Sequence, residues 1–340
     1  MRVLVTGAAG FIAGYLIAEL LDAGYEVVGL DNFSKYGHVR KSYDSDPRYR
    51  LVEGDAKDVE LLKSLLKHCD HFVAAAATIG GISYFHWLPY DLLAENERIT
   101  AASFDAAIHA YKCGRLKKIT VVSSSMVFES TTEFPTAEGV ERRCPPPRST
   151  YGFQKLATEY FAQGALEQYG LPYTIARPFN CVGIGERRAR QDANVTSGNI
   201  KLAMSHVMPD LVQKVLKGQD PLHILGSGSQ VRHYTYGGDL ARGIRLCIEH
   251  PAALNQDFNL STPAATTVVQ LGQLIWEKIN DGARPFRYIS DPAYEYDVQV
   301  RSPDVSKAER LLGFSGETSL SEILDEVIPW IGDQIRRDQI

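Results

Sequence analysis

The chain has 340 residues, 44% hydrophobic and 23% charged, with 41 acidic side chains against 36 basic ones. That is the composition of a globular protein of one large or two smaller domains, and a net charge of −5 argues against a general nucleic-acid binder. There is no apolar run of about 18 residues, no signal-peptide cleavage region and no C-x-x-C; Cys69, Cys113, Cys144, Cys181 and Cys247 read as reduced thiols of a cytoplasmic protein without a disulfide framework or zinc site.

Arg2–Thr6 is a short apolar, β-branched run that predicts a buried strand. Gly7-Ala8-Ala9-Gly10-Phe11-Ile12-Ala13 follows at once. An amphipathic helix comes next, with Leu16, Ile17, Leu20 and Leu21 at helical spacing and Gly24 closing it. Glu26–Asp31 predicts a second strand that ends in an acid. Strand, glycine turn, helix, strand and acid in this order form a dinucleotide-binding fingerprint. Gly7 permits the tight turn, and Gly10 lets the backbone approach a pyrophosphate at the positive end of the helix. Phe11 and Ile12 join them as cofactor contacts, and Ala13 is the third small residue. Asp31 is placed to accept hydrogen bonds from an adenosine ribose, with Asn32 beside it. A 2′-phosphate there would meet a like charge, so the expected cofactor is NAD, with Arg40 and Lys41 close by in sequence.

Arg50–Glu53 predicts a third strand, followed by Gly54, Asp55 and Ala56. Asp55 either hydrogen-bonds the adenine amino group or caps the helix that begins near Asp58. Ala56 adjoins it in the cofactor set. His71–Ala77 predicts a fourth strand whose small residues, Ala75 among them, suit close approach of a cofactor. The stretch Thr78–Ser83 leaves its carboxyl end, where open α/β sheets bind ligands. A long helix is predicted over Pro89–Cys113, with the cofactor candidate Asn96 in its first third. Lys117–Ser123 predicts a fifth strand running into Ser124, Ser125, Met126, Val127 and Phe128. Serines at a strand end either donate to a substrate oxygen or simply form and cap turns.

Pro145-Pro146-Pro147 breaks the chain before Thr150-Tyr151-Gly152-Phe153-Gln154-Lys155, which opens a helix running to Tyr169. Residues i and i+4 share a helix face, so the Tyr151 phenol and the Lys155 ammonium can share a site. A free tyrosine has a pKa of about 10, and a nearby cation favours the phenolate. A cationic nicotinamide ring would lower it further. The pair suits removal of a hydroxyl proton while a hydride leaves the same carbon.

Tyr173–Arg177 predicts a sixth strand, followed by Pro178, Phe179 and Asn180. Repeated strand and helix to this point predict an α/β fold: a Rossmann-type, doubly wound parallel sheet with helices on both faces. Beyond Asn180, Gly183–Lys201 is polar and partly basic (Arg187, Arg188, Arg190) and reads as a loop over the site. Helices are predicted at Ser205–Lys217, Gly238–His250, Leu271–Ile279 and Ser319–Ile335. Strands are predicted at Leu222–Leu225, Arg232–Tyr236 and, as a last member of the main sheet, Asp257–Leu260. The expected division is a dinucleotide-binding domain of residues 1–180, rejoined by 232–262. A smaller, interleaved α/β substrate domain takes 181–231 and 263–340.

Together these motifs resemble the extended short-chain dehydrogenase/reductase family, in its NAD-dependent nucleotide-sugar epimerase/dehydratase branch. The resemblance covers nearly the whole chain. It rests on T-G-x-x-G-F-I at Thr6–Ile12, Asp31, Gly54-Asp55, Ser123–Ser125, Y-x-x-x-K at Tyr151 and Lys155, and R-P-x-N at Arg177–Asn180. R-x-Y-x-Y-x-x-D-x-A at Arg232–Ala241 and R-x-P-D at Arg301–Asp304 extend it. Ala13 stands for a glycine, Ala74–Ala77 lacks the customary histidine, and Phe128 stands for a tyrosine.

The resemblance implies that Tyr151 is the general base or acid. It implies that Lys155 binds the nicotinamide ribose and lowers the tyrosine pKa, and that Ser124 bonds the sugar oxygen at C4. Asn180, Arg232 and Arg301 would hold the diphosphate and its neighbours. Ser125 and His206 complete the substrate candidates. Met208, Tyr84, Phe85 and Trp87 could shape the sugar pocket, with packing as the competing role.

The branch shares a first step that makes a 4-keto sugar. Two residues past the serine, the resemblance places Asp-Glu in 4,6-dehydratases, glutamate in decarboxylases and cysteine in 3,5-epimerases. Here the places hold Ser125 and Met126, and a thioether has no transferable proton. The expectation is a nucleotide-sugar 4-epimerase with tightly bound NAD, acting as a homodimer through its two long helices. The alternatives are a 4,6-dehydratase or UDP-glucuronate-type decarboxylase recruiting Glu129 or His86, a dehydrogenase releasing NADH, and a non-catalytic NAD-binding regulator.

Overall fold

The computed structural model describes residues 1–79, 87–187, 206–293 and 297–340, with the backbone of 195–197 and 200–202. Strand β1 (Arg2–Thr6), helix α1 (Phe11–Asp22) and strand β2 (Glu26–Asp31) form the first βαβ unit. Then come β3 (Tyr49–Glu53), α2 (Val59–Leu66), β4 (His71–Ala74), α3 (Pro89–Lys112), β5 (Lys118–Val122), α4 (Thr150–Tyr169) and β6 (Tyr173–Pro178). The second half adds β7 (Cys181–Val182), β8 (Val195–Ser197), β9 (Ile200–Leu202), α5 (Val207–Leu216), β10 (Leu222–Leu225), β11 (Val231–Arg232) and β12 (Thr235–Tyr236). It continues through α6 (Gly237–Glu249), β13 (Gln256–Leu260), β14 (Thr266–Thr267), α7 (Val268–Asn280), β15 (Tyr288–Asp291), α8 (Ser306–Leu312) and α9 (Leu320–Arg336).

Seven strands make one parallel sheet in the order β13-β6-β5-β4-β1-β2-β3. Both faces are covered, so β5 and β6 are buried along their whole length rather than at alternate residues. On one face Val3, Val5 and Val27 pack with α1, α6 and the segment Ala308–Phe314. On the other, Leu4, Val28, Phe72, Ile119 and Val121 pack with α2, α3 and α4. A separate core joins α5, α7 and α9 to β10 through Leu211, Ile224, Leu271, Trp276, Ile323 and Val327.

Three local expectations change. The strand expected at Arg232–Tyr236 breaks in two: β11 pairs antiparallel with β14, and β12 pairs parallel with β7. Between them His233 turns aside to bond the Thr262 carbonyl at 3.0 Å, so the chain switches partners where hydropathy alone shows one run. The fourth strand stops at Ala74, because the Ala75 and Ala76 amides donate to Thr6 Oγ1 rather than continuing the ladder. Part of the stretch expected as a loop forms the antiparallel pair β8–β9.

Candidate active site

The site lies at the carboxyl ends of the strands. Gly7 sits at φ +73°, and a Cβ there would come within 3.0 Å of the Ala76 Cα and 3.2 Å of the Ala75 carbonyl. Glycine is therefore required where β1 and β4 converge. Gly10 donates to the Gly7 carbonyl at 2.9 Å, and a Cβ on Gly10 would strike the same oxygen. Helix α1 begins immediately afterwards with no side-chain cap. Its first amides, including Phe11 and Ile12, have no acceptor within the helix and stand at its positive end.

Asp31 braces this turn. One carboxylate oxygen accepts from Phe33 N at 2.7 Å, the other from Ala9 N at 3.0 Å. Each keeps a lone pair for a ribose hydroxyl. Lys41 lays its ammonium over the first turn of α1, 3.5 Å from the Gly10 carbonyl. Burial there pushes its pKa down.

Asp58, not Asp55, caps α2, accepting from Leu61 N. That removes the capping role considered for Asp55, whose carboxylate accepts from Lys57 N and faces the Asn32 amide at 3.4 Å. Ala56 is buried beside it. Asn96 turns both ends of its amide to the peptide of Thr78, at 2.7 and 2.9 Å, and so anchors the chain leaving β4. Pro178 ends β6 opposite Leu260. The uncapped helix end, the required glycines and the braced carboxylate fit a dinucleotide.

Helix α4 is tied to the end of β5 by three successive residues. Lys155 Nζ donates to the Val122 carbonyl at 3.0 Å. Ser123 Oγ donates to Glu159 at 2.5 Å. Ser124 hydrogen-bonds the Tyr151 phenol. Tyr151, Lys155 and Glu159 lie four residues apart on one helix face, so a strand end and a helix stripe match in register. Ser149 caps α4, its Oγ accepting from Gly152 N at 3.0 Å. Glu129 fixes that cap, accepting from both Ser149 N and Ser149 Oγ at 2.9 Å.

Tyr151 is only 5% exposed. Burial pushes its pKa up to about 12, against the opposite pull of the Ser124 hydrogen bond and the nearby Arg301 charge. Burial likewise pushes the Lys155 ammonium down to about 8, opposed by Glu159. The Lys155 nitrogen stands 5.9 Å from the Tyr151 ring centre. Ser125 and Met126 are buried in the short turn after Ser124.

A cationic wall completes the site. Val231 pairs with Val300, and Arg301 N donates to the Val231 carbonyl, which brings Arg232 and Arg301 together. Arg232 faces Asp297 at 3.3 Å. Arg301 Nε is buried with no partner among the described residues. Burial and the neighbouring Arg232 push the Arg301 pKa down to about 9, which leaves it charged at neutral pH. The Tyr234 phenol is also buried without a partner among the described residues and lies in the field of both arginines. In the sequence Tyr234 appears only as the first tyrosine of the R-x-Y-x-Y-x-x-D-x-A motif, with no role attached to it. Asn180, at φ +39°, turns its amide toward the His233 carbonyl. His206 pairs through Nδ1 with the buried Glu186 at the start of α5. Met208 is fully buried in the α5 core and Trp87 is exposed, while Tyr84, Phe85, His86, Arg188 and Arg190 lie outside the described residues.

This fold, with its glycine turn and strand-end acid, defines an NAD-binding protein of Rossmann type. The sequence profile described as "NAD dependent epimerase/dehydratase family" matches residues 3–261, and the chain belongs to that family. A putative UDP-glucose 4-epimerase of Methanocaldococcus jannaschii is 26% identical over 336 residues, covering 98% of this chain and 99% of that one. UDP-glucuronic acid decarboxylase 1 of Xenopus tropicalis is 25% identical over 338 residues, 98% of this chain and 73% of that one. The solved UDP-glucose 4-epimerase of Thermotoga maritima, with UDP-glucose, superposes with a TM-score of 0.80 at 27% identity, covering 98% and 100% of the two chains. A dTDP-glucose 4,6-dehydratase of Streptomyces venezuelae, solved with NAD, shares the fold with a TM-score of 0.82 at 24% identity, covering 99% and 98%. The cofactor is NAD.

Proposed function

We propose that the chain is a nucleotide-sugar 4-epimerase. The observation that carries this is the turn after Ser124: Met126 fills it, buried, where a second proton donor would have to stand. Glu129, the described acid close behind, already holds the Ser149 cap with one carboxylate oxygen. Tyr151 then takes the proton of the C4 hydroxyl, with Ser124 bonding the same oxygen, and returns it after the sugar has turned its other face. Lys155 holds the nicotinamide ribose and favours the phenolate. Gly7, Gly10, Phe11, Ile12 and Asp31 would hold NAD, which when bound would supply a reversible hydride acceptor. Holding the reacting oxygen between Tyr151 and Ser124 uses one proton pair for both half-reactions.

Arg232 and Arg301 receive the diphosphate, with Asn180, His206 and Tyr234 along the nucleotide and sugar. An unpaired, buried guanidinium edge favours a ligand that brings anionic acceptors. Helices α3 and α4 form the interface of a homodimer: Phe153 and Tyr160, one α4 face at i and i+7, are 48% and 59% exposed. Incubation with a panel of nucleotide sugars tests the activity. Product of unchanged mass and inverted C4 supports it; loss of water or carbon dioxide from the product overturns it.

A further inference from the structure

Behind the Tyr151–Lys155 pair lies a buried charge group that the proposed chemistry does not use. Glu159 receives Arg177 in bidentate fashion, at 2.8 and 2.6 Å, and Ser123 at 2.5 Å. Both carboxylate oxygens meet only donors, so the group is a carboxylate in spite of its burial. Arg177 also bonds Asp257 at 2.6 Å and stands 3.4 Å from Glu141; Lys307 closes the far side of Asp257 at 2.7 Å. Arg177 is thus surrounded by three carboxylates, Glu159, Glu141 and Asp257. Its charge is balanced without help from Glu159 alone. Among the described residues, Lys155, one helical turn earlier on the same face, is a further cation that feels the charge of Glu159.

We propose that Glu159 is the positioning residue of the Tyr151–Lys155 pair: through Ser123 it fixes α4 to the strand end, and its charge keeps Lys155 an ammonium. The inference rests on the reading of Lys155 as a cofactor contact, not on which sugar is turned over. Three rungs carry it. Val122 holds Lys155, Ser123 holds Glu159 and Ser124 holds Tyr151, so losing the middle rung loosens the two reactive ones. The groups facing Lys155 are Tyr151 and Glu159 on its own helix and the Val122 carbonyl on β5. Behind Glu159 stand Arg177 on β6, Glu141 in the preceding turn, and Asp257 on β13 with Lys307.

The test is Glu159→Gln, which keeps the shape and removes the charge. The pH profile of NAD binding to the full-length protein is recorded beside that of kcat/KM. The high-pH limb of both is expected to move down by about one unit, because an ammonium that loses an adjacent carboxylate deprotonates earlier. The low-pH limb is expected to stay, and Glu159→Asp is expected to restore the high-pH limb. Should Glu159→Gln fail to fold once Arg177 loses its bidentate partner, Glu159→Gln with Arg177→Met is read in the same way. NAD-binding profiles superimposable on the wild type would overturn the proposal. A shifted NAD profile in a protein that epimerises no nucleotide sugar would uphold it and sink the 4-epimerase reading instead.

Discussion

Lys155 gives its ammonium to the Val122 carbonyl at 3.0 Å, two residues before the serine that hydrogen-bonds Tyr151. The lysine is therefore placed by the strand, not by the tyrosine, and stands 5.9 Å from the phenol ring. Lys155→Met keeps much of the stem but removes the donor. It is expected to weaken NAD binding and to lower kcat by roughly 100- to 1,000-fold, the range of a lost acid–base partner. Circular dichroism should be unchanged. Wild-type NAD affinity in this variant would remove Lys155 from the cofactor site.

Tyr151 is buried, with its pKa pushed up to about 12 by that burial. Without a cationic neighbour it is a weak base at neutral pH. Tyr151→Phe is expected to lower turnover by roughly 1,000-fold or more while NAD stays bound. Residual activity that rises with pH as in the wild type would mean that another group takes the proton.

Among the described residues Arg301 Nε has no partner, and Arg232 stands beside it. Replacing it should remove charge-assisted hydrogen bonds to a diphosphate. Arg301→Leu is expected to raise the KM for a nucleotide sugar by about 10- to 100-fold, with a smaller effect on kcat. An unchanged KM would place the diphosphate elsewhere.

The buried charge group predicts a pH-dependent stability. Burial pushes the Asp257 carboxyl up, but Arg177 and Lys307 together pull it further down, to about 2. Its folded value lies below the unfolded one of about 4, so the ionised form stabilises the fold at neutral pH. That contribution, about 2 kcal/mol, is lost as pH falls from about 4 to about 2. Asp257→Asn should melt lower than the wild type at pH 7, with the gap closing near pH 2. A gap that is constant with pH would contradict this account.

Much of this was legible in the sequence because each motif sits at a strand end that the parallel sheet brings to one edge. Gly7, Asp31, Ser124 and Pro178 are far apart in the chain, yet the strand order gathers them, and Tyr151 joins them from helix α4. Hydropathy placed β1, β2 and β10 to the residue. What it could not show was partner choice. Arg232–Tyr236 reads as one strand but serves two sheets. Asp55 and Asp58 both precede α2, and only geometry assigns the cap to Asp58. Glu159 was not singled out in the sequence, because its weight comes from Arg177 and Asp257, brought close by β6 and β13. Tyr234 stood in the R-x-Y-x-Y-x-x-D-x-A motif without a role, because a phenol in the field of two arginines is a property of the folded wall.

In the proposed reaction one proton pair and one returning hydride suffice. The direct measurement is turnover of a nucleotide sugar carrying deuterium at C4, in ordinary water, with the product read by mass and by NMR. The expected product is an epimer of identical mass, inverted at C4, with the deuterium still on C4. A product lighter by water or carbon dioxide, or one with the label moved to another carbon, would contradict it.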